Sequence, residues 1–535
     1  MSSSFDWEEI FRNPNLEHLE QQFLPSFLPR QRWFGGKARR ISSTLVSDWG
    51  PFDLGRSALV VVEVTYEAGE PDIYLTPLSI SFGEASAEIQ EKFPNAVVGS
   101  LETQQGIKVL HDGLYDNDAL LALLALIAQS AEIGTSRGTI RGLPSNVFAA
   151  LRGTTELHPR RSSAEQSNSS IFYGDKLIMK LFRRVQAGIN PDIEIGRFLT
   201  EETNFRNIAA FGGSIEYRRG GDSYAIAMLQ GLVDNQGDGW QWTLDELDRY
   251  YQAQTSEEFP AIAAASIPSD FLSLSKYVLP ADIFAIVGDY LHAASTLGRR
   301  TGELHVALGS ATVDVAFIPE RFSAREAEAL REQLLENATL AFDALSDNLA
   351  RLPVDLIEPA ARTLRRREVI FERLSHLSSQ EPGGLRIRVH GDYHLGQVLR
   401  THSDFVILDF EGEPAKSLVE RRAKQSPLKD VAGMLRSFSY AAFASFTRVL
   451  ATSSIDSQGL EPWAHLWERS VHAAFLSAYR EAVARSPIVP SDPTEFQSLL
   501  EVYVLDKALY ELVYELNNRP TWVRIPLNGI LSLSN

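Results

Sequence analysis

The sequence predicts an α+β protein with segregated elements, a β-rich first part followed by a large helical second part. Three observations point there. Short apolar runs bounded by turn residues fill 58–66 and most of 140–230. From 243 to 380 the apolar spacing becomes that of helices, and more helical segments close the chain. Its 535 residues are roughly three to four times a usual single domain, so at least two lobes are expected.

In chain order, ALVVVEVTY at 58–66 reads as a strand, and LPRQRWFGGKARR at 28–40 is a dense basic patch. ALLALLALIA at 119–128 reads as a buried helix, too short to span a bilayer. VFAALRG, SSIFYGD, KLIMKLF, SIEYRR and SYAIAMLQ then read as strands and turns. One helix interrupts them, NPDIEIGRFLTEE, opened by Asn190-Pro191. The Gly- and Asp-rich LVDNQGDGW at 232–240 marks a linker. TLDELDRYYQAQ, ADIFAIVGDYLHAASTLGRRTGELHVAL and SAREAEALREQLLENATLAFDAL follow as helices. The expected layout is a cap at 1–103, a β-rich N-lobe at 104–231 and a helical C-lobe at 232–535.

Composition narrows the function. The chain has no cysteine, so any metal must use oxygen or imidazole ligands. A net charge of −18 disfavours non-specific binding to nucleic acid or membranes. The N-terminus MSSSFDWEEIF is acidic where a signal peptide is basic, so a cytoplasmic location is the default expectation.

The chemistry concentrates in VHGDYHLGQ (389–397) and FVILDFEG (405–412). Phosphoryl transfer from ATP needs a carboxylate at the acceptor hydroxyl and two oxygen ligands for Mg²⁺. Kinases place the first Asp in H-R-D-x-x-x-x-N and the second metal ligand in D-F-G. Here Asp392 fits the base, Gln397 the amide five residues on, and Asp409 the Asp of the second strand's end. An amide carbonyl suits a hard cation, although Gln adds a methylene to the usual Asn. His390 and His394 stand at i and i+4, superficially a zinc pair, but Gly391 and the β-branched lead-in oppose a helix there.

Such a site also needs a strand Lys on the phosphates, paired with a helix Glu. Lys180 in KLIMKLF and Glu194 in NPDIEIGRFL fit. AEQSNSSIFYGDK lies where a phosphate loop belongs and offers Ser167 and Ser169, yet an ordinary hairpin fits it equally well. Gln230 to Leu232 fall where a hinge would present backbone groups to adenine. Lys180 and Asp392 are 212 residues apart, and no A-P-E segment follows Asp409, which argues against a protein kinase.

HGDYHLGQVL, VILDFEGEP, ERRAKQSPLKDVAGMLRSFSYAA, INPDIEIGRFLTEE, NQGDGW and RQRWFGGKAR together resemble the maltokinase family, within the aminoglycoside-phosphotransferase-like group. The similarity runs from about residue 25 to 526. It implies a bilobal protein-kinase-like fold whose β-rich N-lobe carries an N-terminal cap subdomain. It also implies ATP- and Mg²⁺-dependent phosphorylation of maltose to maltose 1-phosphate, feeding α-glucan synthesis, with a trehalose synthase as a possible partner. By the same likeness the sugar lies against LDKALYELVYELNN, where Lys507, Tyr510 and Tyr514 share one helix face. The rival readings are a related sugar kinase, such as one for glucosamine, and a non-catalytic nucleotide-binding scaffold.

Overall fold

The computed structural model describes residues 7–103, 106–162, 168–254, 259–375, 383–452 and 457–533. The chain splits into two compact units, Met1–Glu202 with Ala209–Val233, and Thr203–Ile208 with Asp234–Asn535.

The first unit holds two antiparallel sheets. One joins β1 (Ile41–Phe52), β2 (Ser57–Tyr66), β3 (Asp72–Phe82), β4 (Val97–Thr103) and β5 (Gly106–Asp112) in the order β1-β2-β3-β5-β4. The other joins β6 (Glu132–Gly134), β7 (Thr139–Pro144), β8 (Pro159–Arg161), β9 (Asn168–Tyr173), β10 (Leu177–Phe182), β12 (Phe211–Arg219) and β13 (Asp222–Gly231), in the order β6-β7-β12-β13-β10-β9-β8. The two-residue β11 (Arg184–Val185) leaves β10 and pairs with β3 of the first sheet.

Residues 58–62 of β2 form an unbroken apolar run because both faces of the strand are buried there. Ala58, Val60, Val62 and Val64 pack with Phe27, Leu28 and Trp33, whereas Leu59 and Val61 pack with Leu120, Leu123 and Ile140. The helix Asn117–Ala128 supplies Leu120 and Leu123. It begins at Asp116, whose carboxylate accepts the Asp118 and Ala119 N–H groups. Asp48 ties the two sheets together. Its buried carboxylate accepts from Thr135 Oγ1 (2.6 Å), Ser136 Oγ (2.5 Å), Tyr217 OH (2.6 Å) and the Arg137 N–H (3.0 Å). Burial alone would raise this carboxyl, but the hydroxyl donors outweigh it and hold it below the usual range.

One expectation fails locally. VFAALRG is not a strand: Phe148–Arg152 forms a short helix, closed when the Gly153 N–H reaches Ala149 O at 3.1 Å. Two alanines and a leucine favour the helix, and the following Gly ends it.

The second unit is mainly helical. The long ADIFAIVGDYLHAASTLGRRTGELHVAL segment breaks at Gly288 into Ala281–Val287 and Tyr290–Leu308. Ala324–Asn348 opens with a Ser323–Glu326 capping box. Leu428–Thr452, Ser457–Val483, Pro493–Asn518 and Arg524–Leu533 are further helices. Between them runs the 387–412 segment, whose only ladder is the pair Val398–Arg400 and Phe405–Ile407. Among the described residues, no helix is long and apolar enough to cross a membrane.

Candidate active site

The HGD segment is shaped by a buried carboxylate outside its own sequence. Asp430, in the first turn of Leu428–Thr452, accepts the His390 N–H at 2.8 Å and the Gly391 N–H at 2.9 Å. It also contacts His305 Nε2 at 3.2 Å, while His305 Nδ1 meets Tyr479 OH at 3.1 Å. Burial would raise the Asp430 carboxyl, but His305, His390 and the Gly391 N–H outweigh it and keep it below its usual range.

The loop backbone turns at Gly391, with φ +85°, where its Cα side passes Gly412 closely. Past the turn, Leu395 N–H donates to Ser437 Oγ at 3.0 Å, and Tyr393 OH meets Thr301 Oγ1 at 2.9 Å. The helix approaches so near that a Cβ on Gly433 would sit 2.6 Å from Tyr393 O. The ring of His390 is oriented as well. Its Nε2 lies 2.8 Å from Leu408 O and its Nδ1 accepts from the Asp392 N–H at 3.4 Å, which places the ring proton on Nε2.

Held in this way, Asp392 opens into a cleft of ≈ 390 Å³. Lys507, Tyr510 and Tyr514 line it together, as their i, i+3, i+7 spacing implies. Lys507 Nζ is 3.9 Å from Asp392 Oδ1, and His394 Nε2 is 3.9 Å from Asp392 Oδ2. Burial pushes the His394 imidazole down, against the pull of Asp392, which favours its neutral form. Farther along the cleft, Trp522 stacks on Tyr440 with centroids 6.3 Å apart. Two carboxylates line the wall, each paired. Glu511 Oε2 accepts from Arg436 Nε at 2.9 Å, and Glu515 Oε1 lies 2.6 Å from Arg519 Nη2. Burial raises the Glu511 carboxyl despite Arg436 beside it.

Gln397 and Asp409 also come together: Gln397 Nε2 donates to Asp409 Oδ2 at 3.0 Å. Asp409 adopts the left-handed backbone region (φ +63°), uncommon for a residue other than glycine. With the amide turned end for end, Gln397 Oε1 would stand 3.0 Å from that carboxylate oxygen. Adjacent ligands of an octahedral Mg²⁺ at about 2.1 Å are separated by about 3 Å, so this pair fits the ion.

In the first unit, Lys180 Nζ lies 3.2 Å from Asp192 Oδ2. Asp192 and Glu194 both belong to the helix Pro191–Glu202, which Asn190 caps by accepting the Asp192 and Ile193 N–H groups. Sequence reasoning passed over Asp192, the buried carboxylate two residues nearer the cap. Ser167 lies outside the described residues. Ser169 is fully buried, and its hydroxyl accepts from Arg183 Nε at 2.9 Å. Ser170, the next residue of that strand, is half-buried and stands opposite Lys180. Gln230 sits in β13 opposite Ile178, and the Leu232 N–H is already given to Lys176 O at 2.7 Å. Of the basic patch, Arg30 donates to Val97 O at 3.1 Å, and Arg39 pairs with Asp72 while covering the Tyr66 ring. These two cations brace the cap itself.

Sequence reasoning missed Asp430, His305, Trp240, Glu511, Glu515 and Trp522. Only Asp430 left a signal, an acidic residue in the first turn of a long helix.

Comparison with known proteins places this architecture among sugar kinases of solved structure. A glucosamine kinase in complex with glucosamine, ADP and inorganic phosphate superposes with a TM-score of 0.63 over 99% of each chain, at 17% identity. Another glucosamine kinase structure, crystal form A, gives 0.58 over 89% of each chain at 18% identity. The α+β fold, with antiparallel sheets in the first unit and helices in the second, is the fold of these enzymes. Residues 27–116 match the family model for the maltokinase N-terminal cap domain. The glucosamine kinase of Streptacidiphilus jiangxiensis is 23% identical over 383 residues, covering 71% of this chain and 74% of the relative. That of Mycolicibacterium smegmatis is 23% identical over 375 residues, covering 69% and 77%.

Proposed function

We propose that this chain is an ATP-dependent sugar kinase that phosphorylates maltose on its anomeric hydroxyl, giving maltose 1-phosphate. One observation carries the reading: Asp392 lines a cleft together with the stripe Lys507, Tyr510, Tyr514. The stripe rises about 10 Å along its helix, more than one hexose ring needs. Tyrosine rings offer apolar faces to sugar rings, and Lys507 and the phenols bond sugar hydroxyls. The match of residues 27–116 to the maltokinase N-terminal cap model supports the maltose reading.

In this reading Asp392 orients the acceptor hydroxyl and takes its proton. Lys507 steadies the Asp392 carboxylate and the sugar. Gln397 and Asp409 hold Mg²⁺, which supplies charge neutralisation on the phosphates. Lys180, gripped by Asp192 on the helix that also carries Glu194, steadies the ATP phosphates. Transfer is direct, and catalysis rests on positioning and charge. Backbone groups at Gln230 and Leu232 meet the adenine. The cap (1–103), the nucleotide side (104–231) and the catalytic lobe (232–535) divide the labour.

A second reading is favoured by the names of the relatives: glucosamine as acceptor. Glu511 and Glu515 are carboxylates within the same cleft, suited to an ammonium group, although each already has an Arg partner. The deciding experiment is Mg²⁺- and ATP-dependent phosphorylation of maltose, glucose, trehalose, maltotriose and glucosamine, with the product mapped by ³¹P–¹H NMR. Phosphate on the anomeric carbon of maltose is the expected result. Turnover of glucosamine without maltose would replace the first reading by the second.

A further inference from the structure

The helix Leu428–Thr452 is lined on two sides. Gly433, Ser437 and Tyr440 face the Asp392 cleft, whereas Arg436 and Ser439 face a second cavity of ≈ 300 Å³. The helix Ser457–Val483 adds Glu468, Arg469 and His472 to that second cavity, and Arg524–Leu533 adds Gly529 and Ser532.

Its polar groups are incompletely satisfied. Arg436 is 4% exposed. Its Nε donates to Glu511 Oε2 at 2.9 Å, and Nη2 lies 2.7 Å from the same oxygen without a directed hydrogen bond. Nη1 has no acceptor among the described residues and emerges beside Gly529, where a Cβ would come within 2.4 Å of it. Arg469 gives one N–H to Ile267 O, and its buried Nε has no partner. His472 is 7% exposed, and its Nε2 donates to Leu435 O at 3.0 Å. That leaves Nδ1 as an acceptor with no protein donor among the described residues. Glu468, the carboxylate on this wall, is already taken by Ser439 Oγ and by His465 at 3.6 Å. Burial would raise it, but these partners and His472 bring it down to about 2.

Two guanidinium groups thus seek acceptors and one imidazole nitrogen seeks a donor, around a space large enough for a small metabolite. We infer that this cavity binds a small hydroxylated oxyanion, of which hydrogen phosphate is the simplest member. Its oxygens accept from Arg436 Nη1 and Arg469 Nε, and its hydroxyl donates to His472 Nδ1. The site is also wired to the cleft. An anion on Arg436 shares the guanidinium with Glu511, which lines the acceptor cleft, so occupancy loosens that wall. This coupling rests on the reading of the cleft given above; the binding does not.

The test uses the full chain and inorganic phosphate, titrated calorimetrically into wild type, Ser532→Trp and Arg469→Gln. Ser532 is exposed at the cavity mouth, so the tryptophan plugs the site without disturbing a packed core. Wild type should bind one phosphate, and both variants should weaken it by about tenfold or more at unchanged melting temperature. No saturable binding in wild type, or binding in both variants as tight as in wild type, overturns the site. Phosphate should also shift the acceptor KM of wild type by about fivefold and leave that of Ser532→Trp unchanged. Binding without this shift overturns the coupling. Absence of turnover on every sugar overturns the kinase reading and leaves the binding result standing.

Discussion

Replacing Asp430 by Asn probes how the HGD loop is held. The carboxylate is 2% exposed and takes two backbone N–H groups and an imidazole at 2.8, 2.9 and 3.2 Å. Asparagine keeps one acceptor oxygen but turns an NH₂ toward a group that is itself a donor. The variant weakens charge-assisted bonds and strands at least one buried N–H, a loss of about 3–5 kcal/mol. The melting temperature at neutral pH should fall by on the order of 5–10 °C. Because Asp392 follows directly on the two held N–H groups, kcat should also drop about 10- to 100-fold. The pH dependence adds an independent check. The folded Asp430 carboxyl lies below its usual value, so its contribution is present above the unfolded value of about 4. It is lost as pH falls through the folded value, and the gap between wild type and variant should close in that acid window. Circular dichroism melts from pH 7 downward and a coupled phosphoryl-transfer assay read all three effects. A melting temperature within about 1 °C of wild type, with kcat within about twofold, would refute the view that Asp430 holds the loop.

Other substitutions test separate parts of the argument. Asp392→Asn should lower kcat by about 10³-fold or more while a non-hydrolysable ATP analogue still binds, as isothermal titration would show. Tyr514→Ala should raise the KM for a disaccharide about tenfold and change that for a monosaccharide far less, if measured side by side with maltose and glucose. Gln397→Leu should raise the Mg²⁺ concentration needed for half-maximal rate by about tenfold or more, leaving the melting temperature near that of wild type. Asp48→Ala, far along the chain from Asp392, should cost about 3–5 kcal/mol by stranding five donors, seen as early melting of the first unit.

Local patterns were legible where the physics is local. The helix Pro191–Glu202 was readable from Asn-Pro and its apolar period, and the strand of Lys180 from the short apolar run that flanks it. The Lys507, Tyr510, Tyr514 face followed from helical spacing alone. VFAALRG misled because its apolar run is too short for periodicity to separate strand from helix. The continuous apolar run of β2 showed burial but not that two different cores share it. Lys180 called for a carboxylate on the next helix, yet a two-residue shift along that helix turn was needed to find Asp192 as a partner.

Composition, period and short motifs thus specified the α+β class, the division into sheet-rich and helical parts, and the carboxylates around which chemistry is expected. These depend on residues near one another in the chain. Asp430 beneath His390, Arg436 against Glu511, Trp522 on Tyr440 and the second cavity behind Arg436 join residues about 40 or more positions apart. Such pairs are chosen by how helices pack and by which buried charge finds a partner. No periodicity encodes them, because packing free energy is set by all the neighbours at once rather than by any one segment.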